Sequence, residues 1–270
     1  MRIRACLTLA LTVLATACDR EPPTKEEIED ARARVDLAVH AAHQARMALE
    51  LLGILPVYTC GEPRRTFVGR AAEGAHTKVA CVTATVESKD NTSDAVVLSF
   101  PEGKCSVNGH TVVGQSAFLY NGGEERMDLT ADLHDLKVDG QPLQAKVGYG
   151  TCGDEKRFWT ETSGELPGRA GNTYRVDGRV GLREGAPIFG STTLVFDGPG
   201  EVSGPLGTDR VTFTGLQYEV GEYLPKEGEA LVETAKGHRV KVNFSSLLWR
   251  LGKVEVEIDE KAPVTVPIVR

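Results

Sequence analysis

The chain reads as a mainly β protein. One long N-terminal helix is expected to pack on a large, curved antiparallel β-meander, an incomplete barrel or sandwich. Three observations carry that reading. Apolar residues recur at helical spacing up to Gly53 and at alternating spacing after Pro56. About a dozen short alternating runs then follow one another. Dipeptides of turn chemistry separate them, so consecutive runs pair antiparallel through short connections rather than through crossover helices.

The helix is placed at 24–55, with its strongest signal over 24–53. Pro22 and Pro23 precede Thr24, and Glu27 three residues later completes a capping-box pattern. Acidic residues crowd the first turn, where the helix dipole favours them. Gly53 and Pro56 supply the stop. About thirty helical residues reach roughly 45 Å. Ile28, Ala31, Val35, Ala38, Ala42, Ala45, Leu49 and Leu52 form a continuous 3-4 stripe. Its alanines leave a shallow seam, better suited to lying on a sheet than to a coiled coil. From Ala41 to Leu52 the helix is apolar on most sides and is expected to be buried. The charged half, Glu26 to Asp36, is expected to be an exposed stalk.

Residues 56–270 form the β domain. Alternating runs fall at 78–87, 95–100, 111–120, 126–138, 143–149, 157–162, 173–182, 192–196, 210–220, 230–234, 239–244 and 253–258. Turns are expected at Asn108-Gly109, Asn121-Gly122-Gly123, Asp139-Gly140, Asp177-Gly178, Asp197-Gly198 and Lys236-Gly237. No second helix of useful length is visible. The Gly/Pro-rich stretch at 163–172 is a candidate subdivision. Val211 to Tyr218 and Val242 to Trp249 share apolar positions, as any two amphipathic strands do.

The N-terminus carries Arg2 and Arg4, an apolar run from Leu7, and Ala15-Thr16-Ala17 before Cys18. A basic start, a short apolar segment and small residues make a secretory signal over 1–17. The run is too short for a bilayer-spanning helix, which needs about 20 residues. The segment resembles the lipobox of bacterial lipoproteins, with Leu14 one step from the usual position. That resemblance implies acylation of Cys18, cleavage before it, and a lipid-anchored chain on a bacterial membrane, inner or outer, periplasmic or surface-facing. Residues 18–23 are then a short lipidated tether. Loss of Arg2 and Arg4 with the signal shifts the net charge from −7 to −9. That acidic balance argues against nucleic acid as a partner, and against a second, electrostatic grip on anionic lipid headgroups.

Four further cysteines, Cys60, Cys81, Cys105 and Cys152, make an even set suited to disulfides in an exported chain. Three connectivities exist. Cys81 and Cys105 flank the runs 82–87 and 96–100, whose pairing as a hairpin brings these two together. By elimination Cys60 pairs with Cys152. The stretch from Cys81 to Tyr149 also resembles β-rich lipoproteins of uncharacterised function, in its two cysteines around paired strands, Asn-Gly-His-Thr-Val-Val-Gly and Lys-Val-Asp-Gly. The resemblance supports the Cys81–Cys105 hairpin and implies no catalytic residue.

Candidate chemistry is sparse. Asp36, His40 and His43 lie on adjacent helical turns, as a metal site requires, but opposite the apolar stripe, where solvent exposure is the simpler expectation. Asp132 and His134 read as a surface pair. No Gly-x-Ser-x-Gly elbow, phosphate loop or calcium loop is present in the sequence. No catalytic, cofactor or metal residues are assigned. The expected function is a membrane-anchored envelope lipoprotein, a non-catalytic structural or interaction module, with the membrane and an envelope protein as partners. A carrier of a lipid-like ligand between sheet and helix is the alternative, and a hydrolase with His134 or His238 meeting a carboxylate is the third reading. The sequence sets no oligomeric state.

Overall fold

The computed structural model describes residues 20–56, 58, 60–103, 105–143, 145–151, 157–167, 173–182, 193–204, 206–219 and 222–268. Helix α1 (Lys25–Leu52) starts at the expected cap: Thr24 accepts from the Glu27 amide, and the Glu27 side chain accepts from the Thr24 amide at 2.7 Å. Gly53 closes it. From Ala45 to Leu52 eight consecutive positions are buried. Successive residues point about 100° apart, so burial at every position means this end of the helix is enclosed on all sides.

The enclosure is a sheet in which all pairings are antiparallel. Its strands are β1 (Thr83–Ser88), β2 (Ser93–Phe100), β3 (Ser106–Val107), β4 (His110–Gly122), β5 (Met127–Asp132), β6 (Leu136–Val138), β7 (Gln141–Pro142) and β8 (Ala145–Thr151). They continue as β9 (Arg157–Pro167), β10 (Thr173–Leu182), β11 (Thr193–Gly204), β12 (Gly207–Glu219), β13 (Glu227–Glu233), β14 (Arg239–Phe244), β15 (Lys253–Ile258) and β16 (Val264–Pro267). The ladder runs β1-β2-β4-β5-β8 and then in chain order to β16, with β3 and β6 paired to β4, and β7 paired to β6. It is not closed into a barrel. Helix α1 packs on β8, β9, β10, β11, β13 and β15.

The sheet curls where its register breaks. Between β12 and β13 the register shifts from Thr214 to Gln217, and the buried side chains change parity there, Val211 and Phe213 before it and Leu216 and Tyr218 after it. Such a bulge bends the strand and strengthens its twist. Gly114 marks the other change, where β4 passes from pairing with β6 to pairing with β5. Its φ is +118°, and a Cβ there would lie 2.2 Å from the Asp135 carbonyl oxygen. Only glycine fits that approach.

Several expectations need correction. A second helix, α2 (Arg64–Lys78), is present and packs on β1, β2 and β4 through Phe67, Val68, Ala71, Ala72 and Ala75. The run proposed at 78–87 therefore starts late, at Thr83. The run at 126–138 is two strands, β5 and β6, broken by a turn. Asp177-Gly178 lies inside β10, and Asp197-Gly198 inside β11 at a register shift. Residues 163–167 belong to β9 and pair with β10, while 168–172 of the proposed subdivision lie outside the described residues. The echo of 211–218 ends early, because Val242–Phe244 is strand but Ser245 to Trp249 is turn. The charged half of α1 is not an exposed stalk: Arg34 and Asp36 are buried.

The turn expected at Asn121-Gly122-Gly123 starts late, because Asn121 and Gly122 are the paired end of β4, whereas two others stand as expected. Asn108 and Gly109 both have positive φ (49° and 85°), as do Asp139 and Gly140 (50° and 81°), the signature of two-residue hairpin turns. Cys81 and Cys105 form a disulfide with Cα atoms 5.3 Å apart, at the open end of the β1–β2 hairpin. Cys60 is also disulfide-bonded. Its expected partner Cys152, like Cys18 and the signal segment, lies outside the described residues.

Candidate functional site

Two places in the fold combine polar groups with a defined position: the start of the described chain and a buried cluster on α1. At the first, Arg20 donates to Glu257 on β15 at 3.0 Å, and the Glu21 carbonyl accepts from the Ala262 amide at 3.0 Å. Lys261 holds Glu27 at 2.7 and 2.8 Å. The Lys261 ammonium and the Thr24 amide together hold the Glu27 carboxyl well below the usual carboxylate range, at about 2. The chain is thus fixed to the β15–β16 hairpin from Arg20 onward. Among the described residues no helix is long and apolar enough to cross a membrane.

The second place is built around Arg46, which is fully buried. Its Nε donates to Glu50 at 2.6 Å, Nη1 to the Glu222 carbonyl oxygen, and Nη2 contacts Nε2 of His110 at 2.9 Å. The guanidinium lies 5.0 Å from the Tyr218 ring centre. An arginine has donors only, so His110 Nε2 must accept and Nδ1 must carry the proton. That proton points to Asp139, 2.6 Å away. Asp139 in turn accepts from the Thr111 amide at 2.8 Å. A chain of polar contacts therefore runs from the surface turn at Asp139 through His110 and Arg46 to Glu50.

His40 and His43 flank this chain under the β12–β13 loop. Tyr223 stacks on His43 at 4.5 Å between ring centres, and its hydroxyl lies 3.5 Å from His40 Nδ1. Burial lowers the His40 pKa to about 4. Burial, reinforced by Arg46, His40 and His110, lowers that of His43 well below the ordinary histidine value. Burial also pushes the Tyr218 phenol upward. His40 and His43 are half-buried rather than solvent-exposed as expected, because the β12–β13 loop with Tyr223 lies over the face opposite the alanine stripe. Among the described residues no group of three or more His, Cys, Asp or Glu side chains is placed to hold a metal ion.

Chemically, His110 with a carboxylate on Nδ1 has the orientation of a general base. Its Nε2 is occupied by the Arg46 guanidinium, so it has no lone pair to offer a substrate. The arrangement instead ties α1 to the β3–β4 and β6–β7 turns. The other histidine–carboxylate pairs are at the surface. His134 bonds Asp132, with Lys146 3.8 Å from the same carboxylate, as the sequence suggested. His238 lies 2.7 Å from Asp259. The depression at the β4–β5 tip, lined by Asn121, Glu124, Glu125, Arg126 and Asp128, is open to solvent.

Sequence reasoning missed the Arg46 cluster. The signal was there: Arg46 and Glu50 are the two charged residues, four apart, in the otherwise apolar end of the helix. Opposite charges at that spacing in a buried segment must meet each other or a third group. Comparison with protein-family models, with curated proteins and with solved structures finds no match to this chain.

Proposed function

We propose that the protein is an exported lipoprotein, anchored through acylated Cys18, whose body is a non-catalytic structural or interaction module at the cell envelope. The observation that carries this reading is the lipobox-like segment that ends at Cys18, and the pinning of Arg20 and Glu21 on the β15–β16 hairpin suits it. Arg20 is two residues beyond Cys18, and two extended residues span at most about 7 Å. A lipid on Cys18 would hold a folded body against the bilayer rather than on a flexible leash. The Cys81–Cys105 disulfide fits an oxidising compartment, which export supplies.

The interaction role draws support from the opposite end of β15. There Leu247 and Leu251, 83% and 66% exposed, flank Trp249 on the turn that joins β14 to β15. The carrier reading has less behind it: Ala42, Ala45, Leu49 and Leu52 are all buried in the packed interior where a ligand would lie. Labelling with radioactive palmitate tests the anchor. Wild type should incorporate label and sediment with membranes, and Cys18→Ser should do neither. An unlabelled wild type, or a Cys18→Ser chain that stays with membranes, sinks the assignment.

A further inference from the structure

The strand register places three hairpin tips at the tether's end of the sheet. Val240 pairs with Ile258 and Arg239 with Glu233, so the β13–β14 tip lies beside the β15–β16 tip. His238 and Arg239 both bond Asp259, the first residue of that neighbouring tip. Arg210 pairs with Glu233, so the β11–β12 tip, with Leu206, is turned the same way.

The N-terminal half of α1 bonds both the β15–β16 tip and β12. Lys261, on the β15–β16 tip, bonds Glu27. Asp209, on β12, bonds Arg34, seven residues or about 10 Å further along the helix. Asp209 is itself three residues, about 10 Å of strand, inside Leu206. The described chain begins beside the β15–β16 tip, where Arg20 bonds Glu257 and the Glu21 carbonyl accepts from the Ala262 amide.

We propose that the tips at Leu206, at Lys236-Gly237-His238 and at Asp259-Glu260-Lys261 form one rim that rests on the phospholipid surface, with Leu206 entering the headgroup layer. The inference rests on the lipoprotein reading and adds to it the face that meets the membrane. Leu206 is 40% exposed, one of four large apolar side chains so exposed among the described residues, and Lys236 lies exposed on the neighbouring tip. An apolar residue beside a cation suits the interfacial zone, and with Asp259 and Glu260 exposed on the same rim the contact rests on Leu206 rather than on net charge. Leu247 and Leu251 are more exposed but sit at the far end of β15, whose six residues put them about 20 Å from this rim. The occupant of the rim is the bilayer because Cys18 is within about 7 Å of Arg20, too short a reach to turn another face downward.

The test is hydrogen exchange on the lipidated full-length mature chain in vesicles of phosphatidylethanolamine and phosphatidylglycerol, set against the Cys18→Ser chain free in solution. Amides at Leu206–Gly207, 235–238 and 259–261 should exchange on the order of threefold or more slowly on vesicles, while those at 245–252 stay unchanged. Leu206→Glu should remove the slowing at its own tip without releasing the protein from the vesicles. Slowing at 245–252, or none at the three tips, overturns the rim while palmitate labelling still upholds the anchor. Absence of palmitate overturns the anchor and the rim together.

Discussion

Replacing Arg46 by methionine removes the guanidinium but keeps an unbranched apolar side chain of similar reach. Three acceptors then lose their donor: Glu50 Oε1, the Glu222 carbonyl and His110 Nε2. The Glu50 carboxylate dominates, since breaking a buried ion pair from one side costs about 3–5 kcal/mol. Each neutral acceptor adds roughly 1 kcal/mol. Local relaxation and water entry relieve part of the first cost, so the expected loss is about 4 kcal/mol, a large share of the ~5–15 kcal/mol that holds a typical domain. Adding Glu50→Met removes the stranded charge and should recover about 2 kcal/mol. Urea unfolding of the Cys18→Ser chain, followed by far-ultraviolet circular dichroism with disulfides intact, gives both numbers from midpoint shifts at constant slope. A loss under about 1 kcal/mol for Arg46→Met, or a double variant no more stable than the single one, would refute the claim that Arg46 serves chiefly to neutralise Glu50.

Stability should fall as pH drops from about 6.5 to about 4. His40 has its folded pKa below its unfolded one, so the unfolded chain binds the proton more tightly throughout that window. The effect is about 2–3 kcal/mol once partial solvent access is allowed for, and His40→Gln should flatten the fall in melting temperature between pH 7 and pH 4.5. Gly114→Ala sets a Cβ against the Asp135 carbonyl at positive φ, and should cost on the order of 3 kcal/mol in the same urea assay. An unchanged midpoint would mean that β4 does not bend there. Removing the Cys81–Cys105 link, which closes a separation of 24 residues, should cost about 3 kcal/mol, read as the midpoint difference between the Cys81→Ser/Cys105→Ser chain and wild type. Thr24→Ala should cost about 1 kcal/mol by opening the capping box, detectable as a small loss of melting temperature.

Where local chemistry dictates structure, the chain can be read directly. Thr24 and Glu27 fix the start of α1 because their side chains bond backbone within one turn. Asn108-Gly109 and Asp139-Gly140 fix tight turns because both residues tolerate positive φ. Helix α2 escapes such reading for an equally local reason. Pro63 offers no side-chain cap, and Gly69 and Gly74 lower the intrinsic propensity. What marks it is tertiary: Phe67, Val68, Ala71, Ala72 and Ala75 recur at helical spacing and are buried against the β1–β2 hairpin. The histidines fail for a different reason. A helical wheel assigns one buried face and one wet face, and that assumption breaks when a sheet curls around the helix.

That curling explains why an alanine-rich helix carries buried charges. Ala38, Ala41, Ala42, Ala45 and Ala48 let the sheet approach closely, but their methyl groups repeat so evenly that packing alone sets the axial position of the helix weakly. Ionic contacts supply the missing definition. Glu27 meets Lys261, Arg34 meets Asp209, and Arg46 meets the Glu222 carbonyl, so the helix is joined to three separate connections or strands. Their spacings along the helix are seven and twelve residues, about 10 and 18 Å. Because those spacings differ and each contact has its own partner, a slip of one turn would leave buried charges unpaired at more than one level, and buried unpaired charges are among the costliest defects a fold can hold. The same contacts that fix the helix in the sheet also fix the sheet's rim relative to Arg20. A rigid attachment at Cys18 would therefore orient the whole body, because no soft joint lies between the tether's pin and the Arg46 cluster.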